Sequence, residues 1–152
     1  MVRHWILFFH VLSVVVWLGG SIYVEALSAA TRRGSDKTFR VTALRQIGVT
    51  NRRLFNLAGI STIVFGFWLV FISPGWEFEM TWIIVGILLA SFAVVVDLFF
   101  TTPRIDQVEV LADSEDEESG ERLSTLMKEI VLAGHARVGM LFLALIFMVF
   151  KP

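Results

Sequence analysis

The chain has no cysteine. That absence excludes disulfides, thiolate metal ligands, attached c-type haem and cysteine nucleophiles together. Any metal must be held by histidine, methionine or oxygen. Charge is also sparse, at 18% of 152 residues. No phosphate-cradling glycine loop, serine nucleophile elbow or metalloprotease helix motif occurs, so the usual signatures of soluble enzymes are missing. What is abundant is apolar: 56% of residues are hydrophobic and the mean hydropathy is +0.74. A water-solvated surface of this size does not tolerate such a balance.

A hydrocarbon core about 30 Å thick takes roughly 20 apolar helical residues per crossing. Four runs meet that need, near His4–Leu27, Leu54–Ile72, Met80–Thr101 and Ile130–Phe150. They predict an all-α, polytopic four-helix bundle in which residues 1–152 form a single transmembrane domain solvated by the lipid bilayer. The first run has a faint likeness to a signal peptide, with Arg3 before it and Ala26-Leu27-Ser28-Ala29 after it. It is too long for a signal core and contains His10 and Glu25, so it reads as a retained span.

A net charge of −1 conceals strong segregation. The 28–53 loop carries Arg32, Arg33, Lys37, Arg40, Arg45, Arg52 and Arg53 against the single acid Asp36. The positive-inside rule makes this loop cytoplasmic, together with the acidic 102–129 loop, and places both termini outside. Within the basic loop, Phe39, Ala43, Leu44 and Ile47 recur at helical spacing, as in a short helix lying on an anionic leaflet or a solvated connector. The run Asp113, Glu115, Asp116, Glu117, Glu118 and Glu121 reads as a solvent-facing segment, with the last helix starting near Ser119 and entering the bilayer. Topology and lipid account for the basic residues, so nucleic-acid binding is not expected. Small residues in every span read as helix-packing positions.

Ionisable groups inside hydrocarbon are functional candidates by default. Glu25, Asp97 and Arg137 fall toward the cytoplasmic ends of their spans with Arg53 at the same level, which predicts a charge cluster. His135 lies beside it. The alternative is simple neutralisation of the two arginines. His10 sits deeper from the other side, about 9 Å in, with no acid at that depth. Ser13, Trp17, Gly20 and Ser21 share its helix face. Trp5, Trp76 and Trp82 read as an interfacial belt, whereas Trp17 and Trp68 are deep enough to line an aromatic pocket beside His10. Haem b suits such a pocket, because it needs an imidazole and an apolar slot. His10 and His135 differ in depth by roughly 12 to 14 Å, too far for one iron. Haem at His10 would then have one histidine ligand, or a second His10 across a homodimer, and His135 would serve a second site or none. A His10 hydrogen-bonded to a carbonyl of a neighbouring helix is the structural alternative.

The run His10-Val-Leu-Ser-Val-Val-Val-Trp17-Leu-Gly-Gly20-Ser-Ile-Tyr23, with Asn51-Arg-Arg-Leu54, Gly66-Phe-Trp-Leu69 and Val149-Phe-Lys-Pro152, resembles the copper-resistance-D-like group of bacterial membrane proteins. That group includes the HemJ-type protoporphyrinogen oxidases and a family of uncharacterised predicted integral membrane proteins, and the resemblance to the latter is greater. It implies a four-helix bundle in the bacterial inner membrane and a haem-associated histidine at His10. HemJ proteins have a lysine early in the third span, near where this chain has Met80, and an Asn-Glu-Val-Pro stretch in the fourth, near where it reads Gly134-His135-Ala136-Arg137. The resemblance therefore carries over the histidine and not the oxidase chemistry. Three functions stand after this reading: a haem b protein with a redox or tetrapyrrole-related role, a permease handling copper or a small solute, and a non-catalytic accessory subunit. If it is an enzyme, a HemJ-like membrane oxidoreductase is implied.

Overall fold

The computed structural model describes residues 1–33, 37–111 and 117–151, with side chains at 31–33, 37–41, 44, 45, 117, 118 and 120 not described. Most of the basic 28–53 charges, Phe39, Leu44 and the acidic run from Asp113 to Glu118 thus lie outside the described side chains. All described secondary structure is helical. In lipid this follows from the backbone: every N–H and C=O must be satisfied within the segment, because no water is there to do it.

Helix α1 covers Val2–Arg33, α2 Lys37–Thr50, α3 Asn56–Ile72, α4 Thr81–Val96, α5 Thr102–Leu111 and α6 Glu117–Phe150. Two π turns, Asn51–Phe55 and Asp97–Thr101, join α2 to α3 and α4 to α5 without breaking the rods. Four membrane-length helices result: Val2–Ala30, Gln46–Ile72, Thr81–Leu111 and Glu121–Phe150. They have 29, 27, 31 and 30 residues, or about 40 to 46 Å at 1.5 Å per residue. All four run past the predicted apolar spans at one end or both, because hydropathy marks only the segment in hydrocarbon, while the helix continues into the interface.

The turn between α3 and α4 is written in its residues. Pro74 cannot extend the helix and Gly75 adopts φ +79°, the pattern of a type II turn, closed by Trp76 N–H donating to the Ser73 carbonyl at 3.2 Å. Pro103 accounts for the second π turn. It has no N–H for the carbonyl four residues back, and the Thr102 N–H instead reaches the Asp97 carbonyl five residues back.

The helices pack as a closed antiparallel ring, α1 on α3, α3 on α4, α4 on α6 and α6 on α1. Arg3, the 73–80 turn and Lys151 consequently meet at one end, called here the terminal face, while α2 and α5 pack together at the other. The predicted short helix of the basic loop exists as α2, and its buried Ala43 and Ile47 are shielded by protein, α5 and α1, rather than facing lipid. Leu57, Phe71, Leu88, Phe92, Phe99 and Leu132 project outward and are more than half exposed. So much apolar surface facing out on all sides requires lipid as the surrounding medium.

Candidate functional site

His10 is buried in α1 at 7% exposure. Its Nδ1–H donates to the Thr62 carbonyl of α3 at 3.0 Å; since a carbonyl only accepts, the proton is on Nδ1. Gly66 makes the approach possible, for a Cβ there would lie 3.2 Å from His10 Cε1. The hydrogen bond expected as a structural alternative is present, yet it occupies only one ring nitrogen. Nε2 has no partner among the described residues and keeps its lone pair.

His10 borders a cavity of about 520 Å³, within the range of small-molecule and cofactor sites. His10, Thr62, Gly66 and Ala90 border it partway along and toward its depth, and its walls are aliphatic side chains of all four long helices, reaching as far as Leu18 of α1. At the terminal face the lining changes to Arg3, Trp76, Trp82 and Lys151. The two indoles meet edge to face at 5.0 Å. The Arg3 guanidinium lies 5.6 Å from the Trp76 ring, and Lys151 Nζ lies 5.1 Å from Trp76 and 5.2 Å from Trp82.

Trp17 and Trp68 do not line this cavity, contrary to expectation. Trp17 shares the His10 face of α1, but its side chain is fully buried beside Gly59 of α3, and the neighbouring Leu18 is the residue that reaches the cavity. Trp68 is 48% exposed on the lipid side. Two residues beyond Gly66, it is turned about 200° from the face that meets His10. Trp76 and Trp82, read as belt residues only, supply the aromatic lining. Sequence reasoning also missed Arg3, Thr62 and Lys151. Single charges at chain ends signal only topology, and the Thr62 contribution is a backbone carbonyl with no sequence signature.

His135 is remote from the cavity. Its Nδ1–H donates to the Val131 carbonyl of its own helix at 2.7 Å, Glu25 Oε2 lies 3.4 Å from the same nitrogen, and 67% of its side chain is exposed. The expected charge cluster is divided. Arg53 is exposed, Glu25 pairs with His135, and Asp97 joins Arg137 at 2.6 Å with both side chains almost fully buried. Helical phase separates them: Glu25 points at Gly134, whereas Asp97 points into the ring. The Arg137 guanidinium lies 4.8 Å from the Phe55 ring of the first π turn. The Trp17 indole N–H and the Thr101 hydroxyl approach the Asp97 carboxylate without closing regular hydrogen bonds, and Arg137 Nε is unpaired. No group of three or more His, Asp or Glu side chains suited to a metal ion occurs among the described residues.

Four membrane-length helices ringed around a buried polar centre, with apolar side chains outward, define a multi-pass integral membrane protein. The chain belongs to the family described as predicted integral membrane protein (DUF2269), whose model matches residues 4–152. Neither the curated proteins nor the solved structures yield a match.

Proposed function

We propose that this protein binds haem b through His10 and serves a redox or tetrapyrrole-related role in the bacterial inner membrane. One observation carries the reading: the His10 ring is held by its Nδ1–H on the Thr62 carbonyl while Nε2 stays unpaired at the edge of an apolar cavity. Metal-binding histidines are typically oriented in this way, by a hydrogen bond from the other ring nitrogen. The residues present fit the group. An imidazole, an aliphatic slot and aromatic edges are what a haem pocket supplies, and the absence of cysteine leaves non-covalent haem as the form this chain can hold. Haem would contribute a one-electron couple; the protein contributes ring orientation, exclusion of water and a low-polarity surround. The resemblance of the first span to the copper-resistance-D-like group points the same way.

The copper or solute permease reading has less support. Asp97 is taken up by Arg137, and His135 has a carbonyl and Glu25 as neighbours, so neither pair offers an open ligand set. An accessory-subunit role has no observation in its favour. The test of the haem reading is spectral. Protein purified in detergent from haem-replete cells should show a Soret band that His10→Ala abolishes and His135→Ala leaves in place. A colourless wild-type protein that gains no Soret band on addition of haem would end the proposal.

A further inference from the structure

We infer that the terminal-face mouth of the His10 cavity is a carboxylate-recognition site, selecting apolar ligands that carry acidic groups at their outer end. On the reading proposed above, on which this rests, those groups are the two propionates of haem. The cavity is apolar for most of its length and becomes cationic only at its opening, where Arg3 and Lys151 are both among its lining residues. They come from opposite ends of the chain, and both lie over Trp76. Among the described residues no acidic side chain lines the cavity and neither cation makes a salt bridge.

Two like charges sharing one indole repel each other, and cation–π contact alone offsets little of that at an exposed site. A pair of carboxylates between them would remove the repulsion and form charge-assisted hydrogen bonds. The backbone adds a second observation. Lys151 has φ +47°, a left-handed conformation unfavourable for a side chain with a Cβ, and its N–H donates to the Phe147 carbonyl at 3.0 Å. At the end of α6 the Lys151 ammonium then lies over both rings of the Trp76–Trp82 pair. Arg3 lies in the first turn of α1, which contains no acidic residue, so the positive end of the helix dipole adds to its field. The ligand that fits is thus an amphiphile with its apolar body toward His10 and its anionic end at the membrane surface.

The experiment compares haem with its dimethyl ester, which lacks the acidic groups, by absorbance titration of the purified full chain in detergent. Oleate and oleyl alcohol, followed by tryptophan fluorescence, form a parallel pair. Wild type should prefer haem to the ester by about tenfold or more, the scale of one charge-assisted hydrogen bond. The preference should vanish in R3Q/K151Q and survive in R3K/K151R, and H10A, which loses haem, should still prefer oleate to oleyl alcohol. Equal binding of acid and ester by wild type, or an undiminished preference in R3Q/K151Q, overturns the inference. If haem does not bind but oleate is preferred to oleyl alcohol in a manner that R3Q/K151Q abolishes, the mouth selects a lipid carboxylate and the haem reading alone falls. Haem and ester bound equally would sink the inference and leave the haem reading standing; if neither haem nor its ester binds and oleate is not preferred to oleyl alcohol, both fall.

Discussion

At the scale of single residues, the most consequential interactions are those that would cost most if left half-made. Asp97 and Arg137 are each at 2% exposure and bound to one another at 2.6 Å. Separating such a pair leaves an uncompensated charge in a medium that cannot solvate it, at a cost of about 3 to 5 kcal/mol. Arg137→Leu should therefore lower stability by that order in detergent unfolding, while Asp97→Leu combined with Arg137→Leu should recover most of the loss; a double variant no more stable than the single would show that the pair is not the source. His10 differs in kind. It is satisfied on one nitrogen only, and its removal should cost ligand rather than fold, which the Soret measurement and a melting curve of His10→Ala together separate. Both candidates were legible in the sequence as ionisable residues in apolar runs. Their partners were not: the Thr62 carbonyl carries no side-chain signature, and Glu25 and Asp97 look equivalent until the phase of each helix is known.

At the scale of elements, the two π turns do what regular helices could not. Each carries the chain from the lipid-embedded helix into a following or preceding segment with a shifted face, and the two are joined by the Asn51 side-chain amide donating to the Thr102 hydroxyl at 3.0 Å. Thr102 in turn donates to the Asp97 carbonyl at 2.8 Å, one of the groups displaced by the π geometry. Past the second turn, Ile105 and Val108 are buried, and Arg104 pairs with Glu129 of α6 at 2.6 Å. Deleting Leu98 from this turn would restore α-helical register and rotate α5 by about 100°. Ile105 and Val108 would leave their interface, so limited proteolysis of the deletion variant should cut within 97–111 at protease levels the wild type survives; equal resistance would mean the π turn sets no register. The ion pairs of Arg52 with Asp106 and Glu109 are exposed and contribute little stability individually, on the order of 0 to 1 kcal/mol. Pro103 was visible in the sequence, yet a proline near the end of an apolar run reads equally as a helix stop. That the rod continues past it goes with the packing of α5 on α2 and α6, which no local pattern shows.

At the scale of the whole molecule, the ring of antiparallel helices gathers Arg3, Trp76, Trp82 and Lys151 at one face and the longer helical extensions at the other. The charge distribution predicts that the extensions are cytoplasmic, with ten basic residues on that side, two on the other and Arg137 within the last span. The native chain has no cysteine, so single cysteines report topology without background. Glu77→Cys should react with an impermeant maleimide in right-side-out vesicles, and Gln107→Cys only after permeabilisation. The reverse labelling would place the cavity mouth on the cytoplasmic side and make its ligand a cytoplasmic one. The medium, the number of crossings and the helical class were determined by sequence alone, because hydropathy adds along the chain and a bilayer of given thickness reads that sum. Tertiary structure decided the cavity, the division of the charges into separate pairs and the exchange of Trp17 and Trp68 for Trp76 and Trp82. These depend on the rotation of each helix about its axis and on contacts between residues as distant as Arg3 and Lys151, and no local pattern encodes either.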